Sequence, residues 1–130
     1  MENQLNILSE SLDQKILVLR AIQEYNKRQE AVFTSGEVDM QKFDAAVEEK
    51  GKLIEKFTRL DDGFEVMYSR LAEQLKDNRQ QYSEQIQALQ QKIAVVMELS
   101  VSIQAQEKRN KNLVESFFSK EKPGISFESR

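Results

Sequence analysis

Apolar residues in the second half of the chain recur at alternating intervals of three and four positions. Two interleaved seven-residue series carry this register: Tyr82, Leu89, Val96, Ile103, Asn110 and Phe117, and Ile86, Ile93, Ser100, Glu107 and Val114. This spacing is the heptad pattern of a long helix that packs along another helix. After Val96 the register includes three polar residues, Ser100, Glu107 and Asn110, at positions where a self-contained coiled coil favours Leu or Ile. The polar half of this helix is therefore a candidate surface for a partner.

Two further amphipathic segments precede this helix. The first extends from about residue 3 to residue 34 and carries one apolar stripe: Leu5, Leu8, Leu12, Ile16, Leu19 and Ile22. The second carries a stripe from Phe43 to Leu75. Between them, Gly36 suits a left-handed carboxyl cap, and Asp39 can cap the amino terminus of the next helix. The sequence therefore predicts a tight helix-helix turn at residues 35–39.

The second helix has two candidate ends. Residues 61–63 (DDG) resemble a stop followed by a new cap, whereas residues 76–81 (KDNRQQ) contain no apolar residue and shift the seven-residue register by one position. A turn at the second site gives helices of about 3–34, 39–77 and 80–118. Their matched lengths favour an all-α fold, an elongated antiparallel bundle of three long helices with coiled-coil-like packing. A fourth helix from a break at residues 61–63, or a fused second and third helix, remains an alternative.

Composition and segment boundaries agree with this fold. Four glycines and one proline provide little turn chemistry for an all-β protein. Residues 1–118 form one predicted domain, and residues 119–130, which include a Pro-Gly pair, are predicted to be a mobile carboxyl-terminal tail. No run of eighteen apolar residues occurs, and the amino terminus lacks the basic start and apolar block of a signal peptide. A cytoplasmic location is the default expectation.

The chain lacks the residues that most active sites use. It has no Cys and no His, which removes thiolate nucleophiles, imidazole bases and soft metal ligands. The neighbouring carboxylates Asp61 and Asp62 diverge by about 100 degrees on a helix, so we expect a solvated turn and not a cation site. No glycine-rich phosphate loop is present, and a net charge of −3 with mixed signs argues against nucleic-acid binding. We therefore expect no enzyme activity, no metal and no cofactor.

Some polar and apolar positions do not fit a simple bundle. The middle parts of helices one and three are apolar on most of their circumference, which indicates either a wide intrachain contact or an additional partner. Lys50 falls on the apolar stripe of helix two. We expect it to extend its ammonium into water, although a partner-contacting charge is the alternative. Phe117 and Phe118 cannot both face one core, so at least one of them should be exposed.

Four segments resemble one known family. Residues 35–39 (SGEVD) and 48–54 (EEKGKLI) resemble the start of helix two in flagellar export chaperones of the FlgN and FliT type. Residues 60–65 (LDDGFE) and 103–110 (IQAQEKRN) are also similar to that family. The resemblance extends over about residues 5–118, in the right order and at the right spacing.

The resemblance implies a function in bacterial flagellum assembly. Members of this family are small cytoplasmic helical proteins that bind the amphipathic carboxyl-terminal helix of a hook-associated (hook-filament junction) or filament-cap protein and deliver it to the flagellar type III export apparatus. Their client site is in the carboxyl-terminal half, which here corresponds to Ile103, Asn110, Leu113, Val114 and Phe117. A client helix with anchors three and four residues apart would fit such a stripe. A structural coiled-coil protein that forms homo-oligomers without a secreted client is the alternative.

Overall fold

The computed structural model describes residues 1–121, with side chains as far as Ser119. In this range the chain forms helix α1 (Glu2–Thr34), helix α2 (Met40–Leu75) and helix α3 (Ser83–Glu121). The helices pack against one another, which confirms the predicted all-α three-helix bundle. Helix α2 continues through residues 61–63 and ends at the polar segment, so within the described residues neither a fourth helix nor a fused second and third helix occurs. Residues 119–121 belong to α3, and the remainder of the predicted tail, 122–130, lies outside the described residues.

Side-chain pairs along the interfaces give the directions of the helices. Helix α2 is antiparallel to α1, and α3 is parallel to α1. The pairs that define these directions are Lys15 with Asp61, Asn26 with Lys50, Asp13 with Lys92, and the Asn26 carbonyl with Asn110. The amino end of α1 therefore lies beside the turn at residues 76–82, and its carboxyl end lies beside the last turns of α3.

The turn between α1 and α2 has the predicted caps. Gly36 has a φ of 89°, which is the left-handed conformation that ends a helix. The Asp39 carboxylate accepts hydrogen bonds from the backbone N–H groups of Gln41 at 3.0 Å and Lys42 at 3.3 Å, and so satisfies two donors of the first turn of α2. These two residues reverse the chain and align α2 with α1.

Helix α1 is the centre of the bundle. It supplies most of the buried apolar residues of the core: Leu5, Leu8, Leu12, Val18, Leu19 and Ile22. They pack against Phe64 and Leu71 of α2 and Leu89 and Val96 of α3. Helix α1 contacts both other helices closely, whereas no Cα atom of α2 lies within 8 Å of one in α3. Packed helices have interaxial distances of about 8–10 Å, so this separation leaves an open groove along one side of the bundle, between α2 and α3.

Asp61 lies on a partly solvated turn of helix, and its side chain is 43% exposed, but it also forms an ion pair that the sequence did not indicate. Its carboxylate accepts a hydrogen bond from the Lys15 ammonium at 2.6 Å. Lys15 is only 3% exposed, and its nitrogen lies 4.4 Å from the centre of the Phe64 ring. A buried cation requires a counter-charge, which Asp61 provides across the α1–α2 interface, while Asp62 is exposed. Adjacent carboxylates therefore have different roles.

Two glycines in contrasting conformations allow a matched stability test. Gly51 lies inside α2, and an added Cβ would meet no atom within 4 Å. We expect Gly51→Ala to raise the free energy of unfolding by about 0.5–1 kcal/mol, because Ala has the higher helix propensity. Gly36→Ala also finds open space but forces a Cβ into a positive φ, which should lower that free energy by about 1–2 kcal/mol. Urea titrations followed by circular dichroism would measure both free energies of unfolding. Equal changes for Gly51→Ala and Gly36→Ala would contradict the helical conformation of Gly51 and the left-handed conformation of Gly36.

Candidate partner-binding site

A buried polar layer crosses the bundle where the three helices meet toward the carboxyl end of α1. It consists of Asn26, Gln29, Lys50, Glu107 and Asn110. The Lys50 ammonium donates hydrogen bonds to Asn26 Oδ1 at 3.0 Å, Gln29 Oε1 at 3.1 Å and Glu107 Oε1 at 2.7 Å. The Asn110 amide donates to the Asn26 carbonyl oxygen at 3.0 Å and to Gln29 Oε1 at 3.3 Å. Each helix therefore contributes to one connected network.

The position of Lys50 differs from the sequence-based expectation. Its side chain is buried, and its nitrogen bonds within the bundle instead of extending into water, so that expectation is wrong. The polar layer could have been identified from polar residues that interrupt the apolar stripes of all three helices at the same level. Asn26 and Gln29 continue the apolar stripe of α1, and polar residues occupy the equivalent stripes of α2 and α3 at the same level. No described buried side-chain nitrogen or oxygen lacks a hydrogen-bond partner, as a stable polar layer requires.

The polar layer separates two apolar regions of different character. On one side is the main core, which ends with Ile22 in α1 and Ile103 in α3. On the other side is a distal aromatic cluster, formed by Phe33, Phe43, Phe117 and Phe118. The Phe33 ring lies 5.2 Å from the Phe43 ring and 5.4 Å from the Phe117 ring, measured between centroids. The last turns of α3 are thus held by a small aromatic contact and not by the main core.

The five residues predicted to bind a partner occupy different surroundings. Ile103 is half-buried against the main core, and Asn110 is 6% exposed within the polar layer. Leu113 and Val114 are half-buried and follow Asn110 by three and four positions, so they share its face of α3. Phe117 is half-buried against Phe33. The structure therefore brings four of the five residues together on the distal part of α3, and Ile103 lies on the other side of the polar layer.

Phe118 and two aromatic residues on the other helices complete the distal end. Phe118 is 44% exposed and packs edge-on against Phe117, which confirms that one of the two consecutive aromatics is exposed. Phe33 and Phe43 were not among the predicted site residues. Their signal was weak, because an aromatic residue at each side of a helix-helix turn is also common in ordinary cores.

The open groove between α2 and α3 exposes apolar side chains on both edges. On α2, Val47 is 43% exposed, Ile54 is 46% exposed and Tyr68 is 40% exposed. On α3, Met97 is 64% exposed. Near the turn at residues 76–82 the groove deepens into a cleft of about 270 Å³, whose lining includes Leu8 from α1. The surface between α2 and α3 therefore has exposed apolar side chains on both edges, and the Lys50–Glu107 ion pair crosses it at the polar layer.

The wide apolar stretches of α1 and α3 are not fully used inside the chain. Leu17 is 67% exposed, and on α3 Val101, one turn after Met97, is 66% exposed. Intrachain packing therefore explains only part of these stretches. The exposed part is available to a second molecule.

No protein-family model, curated protein or solved structure matches the chain. In residues 1–121, no three Cys, His, Asp or Glu side chains come together as a possible metal site. None of the described helices combines the length and the apolarity that crossing a bilayer requires. The candidate partner surfaces of the described residues are the groove between α2 and α3, the distal part of α3, and the exposed apolar residues Leu17 and Val101.

Proposed function

We propose that the protein is a cytoplasmic flagellar export chaperone that binds the amphipathic carboxyl-terminal helix of a secreted subunit. The observation that carries this proposal is the open side of the bundle, where α2 and α3 stay apart and apolar side chains on both edges are half exposed. A fourth helix in this groove would cover the side chains that three helices leave in contact with water. The identity of the client, a hook-associated or filament-cap protein, and delivery to the type III export apparatus are carried over from the sequence resemblance.

The distal part of α3 extends this site beyond the polar layer. Leu113, Val114 and Phe117 are only half-buried, and Phe118 is exposed beside them. Val114 follows Glu107, which bonds to Lys50 of α2, by seven residues, so a client helix that continues along the groove would contact Val114 first. Leu113 and Phe117 lie toward α1 and would be covered at the end of the bundle. Asn110 has its amide donors directed to α1, so its contribution is to hold α3 in register while the client binds.

Single charges in the distal part of α3 test this function. We expect Val114→Asp or Phe117→Asp to weaken binding of the client peptide at least about 30-fold, because a carboxylate buried in an apolar contact costs about 2 kcal/mol or more. The probes are synthetic carboxyl-terminal helices of the hook-associated and filament-cap proteins encoded in the same genome. Fluorescence anisotropy gives the affinity, and circular dichroism gives the helical content.

The matched control is Ala105→Asp, at an exposed position on the same helix. This variant should bind like the unmodified chain. If the unmodified chain binds none of the peptides, the chaperone function is wrong. If Val114→Asp and Phe117→Asp lose helicity together with binding, these residues belong to the core and the site assignment is wrong.

Self-assembly is the second candidate function. The observation in its favour is the exposure of Leu17, Met97 and Val101, which could form an interface between copies of the chain. Light scattering separates the two functions. A stable oligomer without affinity for the peptides would favour a structural coiled-coil protein.

A further inference from the structure

The edge of α2 beside the open groove combines an apolar seam with a row of carboxylates. The seam has one position every seven residues, occupied by the apolar or aromatic residues Val47, Ile54 and Tyr68 and, between the last two, by Asp61, which pairs with Lys15. The carboxylate row follows the same flank of the helix and contains five exposed residues: Asp44, Glu48, Glu55, Asp62 and Glu65. Three of the five directly follow a seam residue. A helix that lies on the seam would therefore have the row along its side.

The contacts of α2 place this flank toward the groove. Tyr68 and Ala72 line the cleft together with Ile86 of α3. Glu65 precedes Ala72 by seven residues and therefore lies on the same stripe, two helical turns away. Asp62 precedes Glu65 by three residues and is its neighbour on the helix surface. The row thus lies on the side of α2 that the α1–α2 interface leaves open.

The basic residues of α2 lie on the adjoining flank, where Lys52 and Arg59 follow Glu48 and Glu55 by four residues. At about 100 degrees per residue, the basic residues share one side of the helix: Lys42, Lys52, Lys56, Arg59 and Arg70. Glu49 lies on the same side and lines the surface depression between α1 and α2. None of the five carboxylates in the row lies within 4.0 Å of a described Lys or Arg nitrogen. The pKa of Lys52 is raised mainly by its hydrogen bond to Glu49, and Glu48 adds to this effect. The row is therefore available to a cation from outside.

The α3 edge of the groove is uncharged between Gln90 and Gln104, and Lys111 is the next residue of the same series. Its outer positions repeat every seven residues as Gln90, Met97 and Gln104. Ile86 and Ile93 line the inner side of the cleft. The groove is therefore apolar at its base, acidic on the α2 edge from Asp44 to Glu65 and neutral on the α3 edge from Gln90 to Gln104, while Lys76 and Arg79 line its cleft end. This asymmetry distinguishes one side of a bound helix from the other.

We propose that the groove between α2 and α3 binds an amphipathic helix with one basic edge. Apolar residues of that helix, three and four positions apart, cover Val47, Ile54, Tyr68 and Met97, and its Lys or Arg side chains pair with the carboxylate row. A large apolar anchor fills the cleft above Leu8. This assignment deepens the chaperone function proposed above and rests on it, because it states the chemistry of the client helix. Charged edges of this kind set orientation and partner choice more than total affinity.

The test compares two synthetic probes on the full chain. One is an amphipathic helix with Leu at three-four spacing and Lys along one edge, and the other is its twin with Glu at the Lys positions. The unmodified chain should bind the Lys helix at least about tenfold more tightly than the Glu helix, because several exposed ion pairs of about 0.5 kcal/mol each act together. Raising the salt concentration should reduce this ratio.

A charge-reversal variant makes the test specific to the row. The variant Glu55→Lys/Asp62→Lys/Glu65→Lys should reverse the preference and favour the Glu helix. The control Glu10→Lys/Glu24→Lys/Glu98→Lys changes the net charge equally at exposed positions on α1 and α3, and it should keep the preference for the Lys helix. Circular dichroism verifies that both variants remain helical. All three replaced residues of the row are exposed, so their replacement should leave the bundle folded.

The possible results distinguish failure of the basic-edge assignment from failure of the chaperone function. Equal binding of the two probes, or an unchanged preference in the reversal variant, overturns the basic-edge assignment. If the flagellar client peptides bind in that case, the chaperone function stands without it, and if they fail as well, both are wrong. The reversal variant could instead change the oligomeric state measured by light scattering and leave probe binding unchanged. That result would mean that a second copy of the chain covers the groove, and it also overturns the basic-edge assignment.

Discussion

Lys50→Met is expected to lower the free energy of unfolding by about 3 kcal/mol. The ammonium of Lys50 satisfies the side-chain oxygens of Asn26 and Gln29, both at most 2% exposed, and pairs with Glu107. Methionine fills a similar volume but donates no hydrogen bond, so Asn26 Oδ1 loses its donor and Gln29 Oε1 keeps only the longer bond from the Asn110 amide. Each buried polar group left without a partner costs about 1–3 kcal/mol. Glu107 is half exposed and can be hydrated, which limits its share of the loss.

Lys52→Met is the matched control for this prediction. Lys52 lies two residues further along α2, is 64% exposed and forms only a local pair with Glu49. Its replacement should leave stability unchanged, because a solvated ion pair of this kind contributes little. Urea titration with circular dichroism would measure both variants. A Lys50→Met variant as stable as the unmodified chain would show that the polar layer does not hold the helices together.

The second large effect is expected at the centre of α1. Leu12→Ala should lower the free energy of unfolding by about 3–4 kcal/mol, because Leu12 is 1% exposed and its truncation leaves a cavity in the main core. Since α1 is the helix that contacts both neighbours, this cavity weakens two interfaces at once. Thermal and urea unfolding should both report the loss.

Leu17→Ala provides the comparison on the same helix. Leu17 is 67% exposed, so its truncation should change the free energy of unfolding by less than about 0.5 kcal/mol. Similar losses for Leu12→Ala and Leu17→Ala would contradict the orientation of α1. A rise in monomer content for Leu17→Ala in light scattering would instead indicate a self-association surface.

Most of the fold could be predicted because its signals are local. The heptads of α3 and the apolar stripes of α1 and α2 depend on helical periodicity, which the chain carries in its own spacing. Gly36 and Asp39 identified the first turn, because a positive φ and an unpaired helix amino terminus have strong residue preferences. The second turn had a weaker signal. The absence of apolar residues at 76–81 indicated it, and residues 76–82 form it.

The candidate site could be predicted less well, because it depends on relations between helices. Periodicity identified the polar residues Glu107 and Asn110 within the register of α3, and they were interpreted as features of a partner surface. In the structure, Glu107 bonds to the Lys50 side chain, and Asn110 bonds to the Gln29 side chain and the Asn26 carbonyl oxygen. A polar residue on an apolar stripe has the same spacing whether its partner lies in the same chain or in another molecule. Only the relative positions of the helices distinguish these two cases.

By itself, the sequence determined that the protein consists of three long amphipathic helices, where the chain reverses, and which face of each helix is apolar. Only the tertiary structure decided that α1 is central, that Lys50 is buried in a polar layer, and that α2 and α3 leave a groove with one acidic edge. The physical reason is that an apolar stripe specifies which side of a helix is buried but not which helix covers it, because the burial of apolar area has no directional preference. Which helices meet, and at which level, is set by side chains far apart in sequence that must satisfy one another when buried.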